Sequence, residues 1–301
     1  MKRWLQHTLV AGVGLVALGS AALMLGAWMG ERKAQRQVEV AVQAVPIPTD
    51  AASLQRGRYL FASRGCVDCH GADGAGRAFI DDGDDMYVRA PNISPGPGSV
   101  VAGYRPEDWV RTLRHGVKPS GRPLFIMPSE DYSRYSDADL GALVAHVQRL
   151  PPARGEGFAA VVPPLVKTLY AAGVIRDAAE KIDHTLPPAA PVPEDGSPAH
   201  GAYVAQMCLG CHGEHLSGGK IPGGPPDWPA AANLTPGAGS AMTAYANADA
   251  FVDMLRSGRR PDGSAVSPVM PFGSLRELND GDARALYAHL KRLPPRAAGQ
   301  R

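Results

Sequence analysis

Four cysteines and two histidines have residue types and spacing suited to chemistry, because they form two copies of the pattern Cys-x-x-Cys-His. The copies are Cys66–His70 and Cys208–His212, and they use every cysteine in the chain. This pattern is the attachment signature of c-type haem. Two thiols one helical turn apart can each bond a vinyl group of the porphyrin, and the adjacent imidazole then lies beneath the iron. We therefore predict two covalent haems, with thioether bonds to Cys66, Cys69, Cys208 and Cys211 and iron ligands His70 and His212.

Two other interpretations of the cysteines are weaker. Paired Cys-x-x-Cys motifs can bind zinc, but structural zinc pairs act together to complete four ligands. Here each pair belongs to its own half of the chain. A thioredoxin-like redox pair requires a strand–helix–strand setting, which the sequence does not show.

Each haem iron also needs a sixth ligand or keeps an open site. Among nine methionines, only Met127 and Met270 match between the two halves, and each is followed by proline just before the last helix of its half. The proline fixes an extended loop that lets the sulfur point at the iron. We predict Met127 and Met270 as axial ligands, and Met86 is the alternative in the first half. His/Met ligation favours electron transfer at a raised potential.

The two motifs belong to an internal repeat that covers most of the chain beyond residue 52. The motifs are 142 positions apart, the Met-Pro pairs recur at 127 and 270, and Leu-Pro-Pro recurs at 150 and 293. Ser136 and Asn279, each with an aspartate three residues later, predict the N-caps of the final helices. Further helices are predicted near 53–64 and over 106–115, and no convincing alternating strand is present. The predicted fold class is mainly α.

The predicted organisation is two tandem haem domains preceded by a single N-terminal transmembrane helix. The predicted segments are a membrane anchor at 1–30, a tether at 31–52, domain 1 at 53–152, a Pro-rich connector with a short helix at 153–196 and domain 2 at 197–296. The apolar face of the connector helix carries Leu165, Leu169, Ala172 and Ile175. We expect this face to pack across the two domains, with a membrane-surface role as the alternative.

The anchor is predicted from 23 residues, Thr8 to Gly30, that carry no formal charge. About 20 apolar residues span a bilayer core. A cleaved signal peptide is the alternative, but the apolar run continues through Leu23, Leu25 and Trp28. Both flanks are basic, so charge does not fix the orientation. Covalent haem attachment occurs outside the bacterial cytoplasm, so we expect the chain beyond Gly30 in the periplasm, anchored to the inner membrane by a single pass.

The charge balance argues against a nucleic-acid partner. The chain has a formal net charge of +2, and residues 1–36 hold five of its 31 basic side chains but one of its 29 acidic ones. The remainder therefore carries a net charge of −2 and no basic patch. An acidic run follows the first motif at Asp81, Asp82, Asp84 and Asp85. We interpret it as a solvated insertion, with a partner-docking patch or a cation site as alternatives.

Each half resembles a class I cytochrome c domain. The run APNISPGPGS from Ala90, followed by Arg114-His115-Gly116, Met127-Pro128 and Leu150-Pro151-Pro152, resembles the multihaem cytochrome subunits of bacterial membrane-bound alcohol and sugar dehydrogenases. The resemblance covers 53–152 and 197–296. It implies the same four thioether bonds and the iron ligands His70, Met127, His212 and Met270. Those subunits typically carry three haems, whereas this chain has two motifs and an N-terminal anchor.

These features predict an electron-transfer protein that has no substrate of its own and is not an enzyme. Its expected partners are a dehydrogenase or quinol-linked donor and a downstream cytochrome or terminal oxidase. We expect the two domains to form one relay, with two independent carriers on a string as the alternative. A dihaem peroxidase-like enzyme with one labile haem site is the second functional hypothesis, and a ligand-sensing module is the third.

Overall fold

The computed structural model describes residues 2–83, 86–225 and 227–301. A long helix, α1 (Lys2–Ala34), begins the described chain. Every residue from Gln6 to Leu25 is exposed along it. Within the described ranges α1 is the one helix long and apolar enough to cross a membrane, although a signal sequence would pass the same test. The helix continues four residues beyond the predicted end of the anchor at Gly30.

Domain 1 is built from four helices around one hydrophobic core. They are α2 (Ala51–Ser63), α3 (Cys66–His70), α4 (Pro106–His115) and α5 (Asp137–Val147). The predicted cap of α5 is confirmed, because the Ser136 hydroxyl accepts a hydrogen bond from the Asp139 amide at 3.2 Å. A 3-10 turn, Ser129–Asp131, follows Met127. The core contains Leu60, Phe61, Trp109, Val110, Leu140 and Val144.

Domain 2 repeats this arrangement around a separate core. Two helices of the connector precede domain 2, namely α6 (Pro164–Ala171) and α7 (Ala178–Lys181). The domain itself contains α8 (Pro198–Ala205), α9 (Leu209–His212), α10 (Ala248–Ser257), α11 (Phe272–Leu275) and α12 (Asp280–Leu290), with 3-10 turns at Gln206–Cys208 and Ala241–Ala244. Asn279 caps α12 as predicted, accepting from the Asp282 amide at 2.7 Å. The mainly helical fold class is therefore confirmed.

A small antiparallel sheet departs from the prediction that the chain has no strands. Its order is β1 (Ala78–Asp81), β2 (Tyr87–Arg89) and β3 (Ala159–Val161). The strands have three or four residues each, too few to show an alternating pattern, and β3 comes from the connector. Asp81 and Asp82 of the acidic run lie at the end of β1, whereas Asp84 and Asp85 lie outside the described residues.

The connector helix α6 packs on α1, so the expectation that it packs across the two domains is wrong. The Thr168 hydroxyl donates to the Leu23 carbonyl at 3.2 Å. At Gly30 an added Cβ would lie only 2.2 Å from the Lys167 carbonyl oxygen, so the helices approach closely where α1 lacks side chains. The spacing of Gly26 and Gly30 is the small-xxx-small pattern that permits such contacts between helices.

Candidate haem sites

The two Cys-x-x-Cys-His motifs form short helices that present their histidines in the same way. Each motif ends at a glycine with positive φ, Gly71 at +76° and Gly213 at +83°. The Nδ1 atom of His70 lies 2.9 Å from the Pro91 carbonyl oxygen, and that of His212 lies 2.8 Å from the Ala232 carbonyl oxygen. A carbonyl can only accept, so Nδ1 carries the proton in both rings.

This tautomer leaves the Nε2 lone pair of each ring free to bind a metal, and the hydrogen bond orients the ring. Burial lowers the pKa of both His70 and His212, outweighing the opposite effect of the carbonyl bonds, so both rings are neutral near pH 7. A neutral imidazole is the form that ligates iron. The partner is a backbone carbonyl, which is why Ala232 serves as well as Pro91.

The thiols of the motifs are unsuited to redox exchange. Burial raises the pKa of Cys66 and of Cys208 to about 12 and that of Cys69 to about 11. Reactive Cys-x-x-Cys pairs need a lowered thiol pKa, so the thioredoxin-like interpretation has no support. The zinc interpretation has none either, since no three His, Cys, Asp or Glu residues converge as metal ligands in the part of the chain that is described. A thioether sulfur carries no ionisable proton, so its burial does not oppose the formation of a charge as burial of a thiol does.

The predicted axial methionines pack against the same hydrophobic cores as the motifs of their own domains. Met127 and Cys66 pack against the core of domain 1, and Met270 and Cys208 pack against the core of domain 2. Met86, the alternative, lies between β1 and β2, where its carbonyl accepts from the Asp82 amide. Each core thus carries its motif and its predicted axial methionine, although Met207, Met242 and Met254 also belong to or pack on the core of domain 2. The iron ligation itself stays a prediction.

The surroundings of each motif fit a bound haem. In domain 2, partly buried apolar side chains border the core and offer apolar contacts that suit a porphyrin: Met207, Leu209, Leu234, Val266, Phe272 and Leu293. In domain 1 the indole N–H of Trp109 is buried without an acceptor among the described residues. A haem with acidic substituents offers such acceptors. When bound, haem supplies reversible one-electron iron chemistry.

The two domains contact each other through reciprocal hydrogen bonds. The Tyr59 hydroxyl of domain 1 donates to Asp282 of domain 2 at 2.6 Å, and the Tyr203 hydroxyl of domain 2 donates to Asp139 of domain 1 at 2.7 Å. Each tyrosine oxygen also accepts from the backbone amide at the other domain's N-cap, at 3.3 Å from Asn279 and 3.1 Å from Ser136. The repeat thus supplies both halves of its own interface.

The same interface places each motif against a segment of the other domain. Within the first motif, Asp68 accepts a hydrogen bond from the Ser274 hydroxyl at 2.6 Å. Within the second, Gly210 lies against Asp131, whose Oδ1 is 3.1 Å from the position of an added Cβ. Ser274 and Asp131 both lie four residues after a predicted axial methionine. The segment that follows each methionine therefore contacts the motif of the other domain.

The interface also has one asymmetric feature, a buried ionic cluster. The guanidinium of Arg64 donates to Asp282 at 2.5 Å, and Nε2 of His200 lies 2.7 Å from the other Asp282 oxygen. Burial alone would raise the pKa of Asp282, but Arg64, Tyr59 and His200 together hold it below its usual value. Sequence reasoning missed this cluster, although the repeat-matched pairs Tyr59/Tyr203 and Asp139/Asp282 were visible.

Comparisons with known proteins agree with this picture. The family described as "Cytochrome C oxidase, cbb3-type, subunit III" matches residues 52–147 and 197–290. A "Diheme cytochrome c-type" protein of Cereibacter sphaeroides is 27% identical over 96% of this chain and 99% of its own length. The "Fructose dehydrogenase cytochrome subunit" of Gluconobacter japonicus is 25% identical over 84% of this chain, which spans only 55% of that relative.

The "Gluconate 2-dehydrogenase cytochrome c subunit" of Pantoea cypripedii is 27% identical over 83% of this chain, which spans 61% of it. The predicted resemblance to dehydrogenase cytochrome subunits is therefore confirmed. The family match covers most of both domains, including the two Cys-x-x-Cys-His motifs. The chain accordingly belongs to the cytochrome c family described as subunit III of cbb3-type oxidase, and it is an electron-transfer cytochrome.

Proposed function

We propose that this protein is a membrane-anchored dihaem cytochrome c that passes electrons from a dehydrogenase or quinol-linked donor to a downstream cytochrome or terminal oxidase. The observation that carries the proposal is the matched pair of sites, each with a neutral, oriented histidine and a methionine on the same core. Cys66, Cys69, Cys208 and Cys211 hold the two haems. The axial ligands are His70 with Met127 and His212 with Met270.

The anchor is retained in this proposal, because the folded domains are tied to its end. Arg36 forms an ion pair with the fully buried carboxylate of Asp177 at 2.6 Å. The ammonium of Lys33 donates to the Tyr170 carbonyl at 2.8 Å and forms an ion pair with Glu180 at 2.9 Å. These contacts hold the segment that follows the uncharged run, and α6 also packs on Leu23, Gly26 and Gly30 within the run itself. The haem domains then lie in the periplasm, where haem is attached.

The two domains act as one relay rather than as separate carriers. The reciprocal tyrosine–aspartate bonds and the contacts between the motifs and the post-methionine segments support a fixed arrangement. The connector does not create this arrangement, since α6 packs on α1. Direct contact between the domains takes the role that we expected of the connector helix.

The test of the proposal is spectroscopic and uses the full chain in detergent. Pyridine haemochrome analysis should give two haems per chain, both low-spin and unreactive towards CO. The Met127→Ala variant should convert one haem to a high-spin, CO-binding form, whereas the matched Met86→Ala control should keep the parent spectrum. A parent protein with one high-spin haem that turns over peroxide would instead favour the peroxidase-like alternative.

A further inference from the structure

The uncharged part of α1 indicates the depth in the bilayer of each residue that contacts it. A helix rises about 1.5 Å per residue, and a bilayer core of about 30 Å takes about 20 of the 23 residues between Thr8 and Gly30. The aqueous end of the core therefore lies within a few residues of Gly30. Arg32 stacks on the Trp28 ring at 5.3 Å there, and aromatic and basic side chains of this kind mark the membrane–water boundary.

The connector helix α6 touches α1 below this boundary. Thr168 donates to the Leu23 carbonyl and packs on Gly26, where an added Cβ would be 2.5 Å from its methyl group. Leu23 precedes Gly30 by seven residues, or about 10 Å along the helix axis. Side chains of a helix point towards its N-terminus, so Leu165, one turn before Thr168, lies on the same side and reaches at least as deep.

The chain that leads into α6 is suited to a medium with little water. Residues 158–166 read Phe-Ala-Ala-Val-Val-Pro-Pro-Leu-Val and contain no charged side chain. Leu165 is 58% exposed and Phe158 and Val161 are also exposed. Pro163 and Pro164 at the start of α6 remove two backbone N–H donors that would otherwise lack partners, and such donors are costly in lipid.

The charged groups that α6 contacts lie on the other side of the boundary. Lys167 forms an ion pair with Glu31 at 2.9 Å, and the Tyr170 carbonyl accepts from Lys33. Glu31 and Lys33 follow Gly30 on α1, in the basic segment that belongs at the headgroups. The charged contacts of α6 are thus aqueous, while its exposed leucine faces the level of the acyl chains.

We propose that the segment 158–166, including the start of α6, is inserted in the bilayer interface and forms a second membrane contact beside α1. Interfacial helices bury their apolar face about 5–10 Å into the boundary between headgroups and acyl chains, and this matches the depth of Leu23. The inference rests on the proposed retained anchor. It adds that the lipid surface fixes the orientation of the haem domains, because two contacts restrict rotation about α1.

The test measures the labelling of single introduced cysteines by a charged, membrane-impermeant maleimide in phosphatidylcholine nanodiscs. The four native cysteines are consumed by thioether bonds and do not compete. The Leu165→Cys variant should react at least tenfold more slowly than the matched Val174→Cys variant, whose parent side chain is 64% exposed in the same connector. Equal rates would overturn the inference.

A third variant separates this inference from the anchor. Val16 lies near the middle of α1 and is 70% exposed. If the Val16→Cys variant is protected and the Leu165→Cys variant is not, the anchor stands and the interfacial contact is wrong. If the Val16→Cys variant labels as fast as Val174→Cys, the anchor itself is refuted.

A crosslinking measurement identifies what covers Leu165. A benzophenone maleimide attached to the Leu165→Cys variant in detergent, before transfer to nanodiscs, should crosslink to phosphatidylcholine on illumination. The same probe on the Val174→Cys variant should give little lipid adduct. Crosslinking of the Leu165→Cys probe to a second protein chain, without lipid adduct, would overturn the proposed lipid contact.

Discussion

Replacing Asp282 with alanine tests whether the ionic cluster holds the domains together. This carboxylate accepts from Tyr59 across the interface, from the guanidinium of Arg64 and from His200. The Arg64 side chain is only 3% exposed, and without Asp282 it keeps, among the described residues, a hydrogen bond to the Ser63 hydroxyl and the face of the Tyr59 ring but no anionic partner. Removing one member of a buried charge pair costs about 3–5 kcal/mol, because the other charge stays buried and unpaired.

The repeat supplies a matched control at Asp139, which accepts from Tyr203 and pairs with Arg56. Arg56 is 23% exposed and keeps Glu194 as a second partner, so Asp139→Ala leaves no buried charge without compensation. We expect its cost to be that of hydrogen bonds to a charged group, about 1.5–3 kcal/mol. The Asp282→Ala variant should therefore lose about 2 kcal/mol more stability than the control.

The assay is thermal unfolding of the haem-loaded full chain, followed by far-UV circular dichroism. A loss of 1 kcal/mol lowers the melting temperature of a chain of this size by about 2–4 °C. The Asp282→Ala variant should melt about 6–20 °C below the parent, and clearly below Asp139→Ala. Equal shifts in the two variants would refute the reasoning, because they would show that burial of Arg64 does not decide the cost.

Two further predictions concern electron flow and acid stability. After flash reduction of one haem, electrons should equilibrate with the other at a rate independent of protein concentration. A rate that rises with concentration would favour independent carriers. Burial lowers the pKa of His115, 3.0 Å from His184 between their Nδ1 atoms, to about 4. The stability that neutral His115 contributes to the folded state is present above pH 6.5, the pKa of an unperturbed histidine, and is lost as the pH falls towards 4. The His115→Gln variant should show a smaller loss of melting temperature across that range, and an unchanged pH profile would contradict this assignment.

The features predicted correctly from the sequence are those encoded locally. Caps such as Ser136 and Asn279 depend on residues three positions apart, and the structure forms both. The motif helices likewise depend on five consecutive residues. Pro91 and Ala232, which hold the two histidines, differ in side chain, but each histidine contacts only the backbone carbonyl, which is the same in both.

The features that were missed depend on residues far apart in the chain. The strand β3 pairs with β2 at a sequence separation of about 70 residues, and Arg64 contacts Asp282 at a sequence separation of 218 residues. Neither contact leaves a periodic signal. The placement of α6 had one local signal, the Gly26–Gly30 spacing in α1, which indicates a surface that another helix can approach. The amphipathic pattern of the connector indicates an apolar face, but not which surface covers it, and Leu165 on that face is 58% exposed.

The reciprocity of the interface bears directly on whether the domains move independently. Separating them requires breaking both tyrosine–aspartate bonds at once, since each domain supplies one donor and one acceptor. At about 1.5–3 kcal/mol for each bond to a carboxylate, the separated state costs about 3–6 kcal/mol from these two contacts alone. A difference of 1.4 kcal/mol is a factor of ten, so the separated state is populated below about 1%. The Arg64–Asp282 pair adds to that cost, and this supports the proposal that the two domains act as one relay.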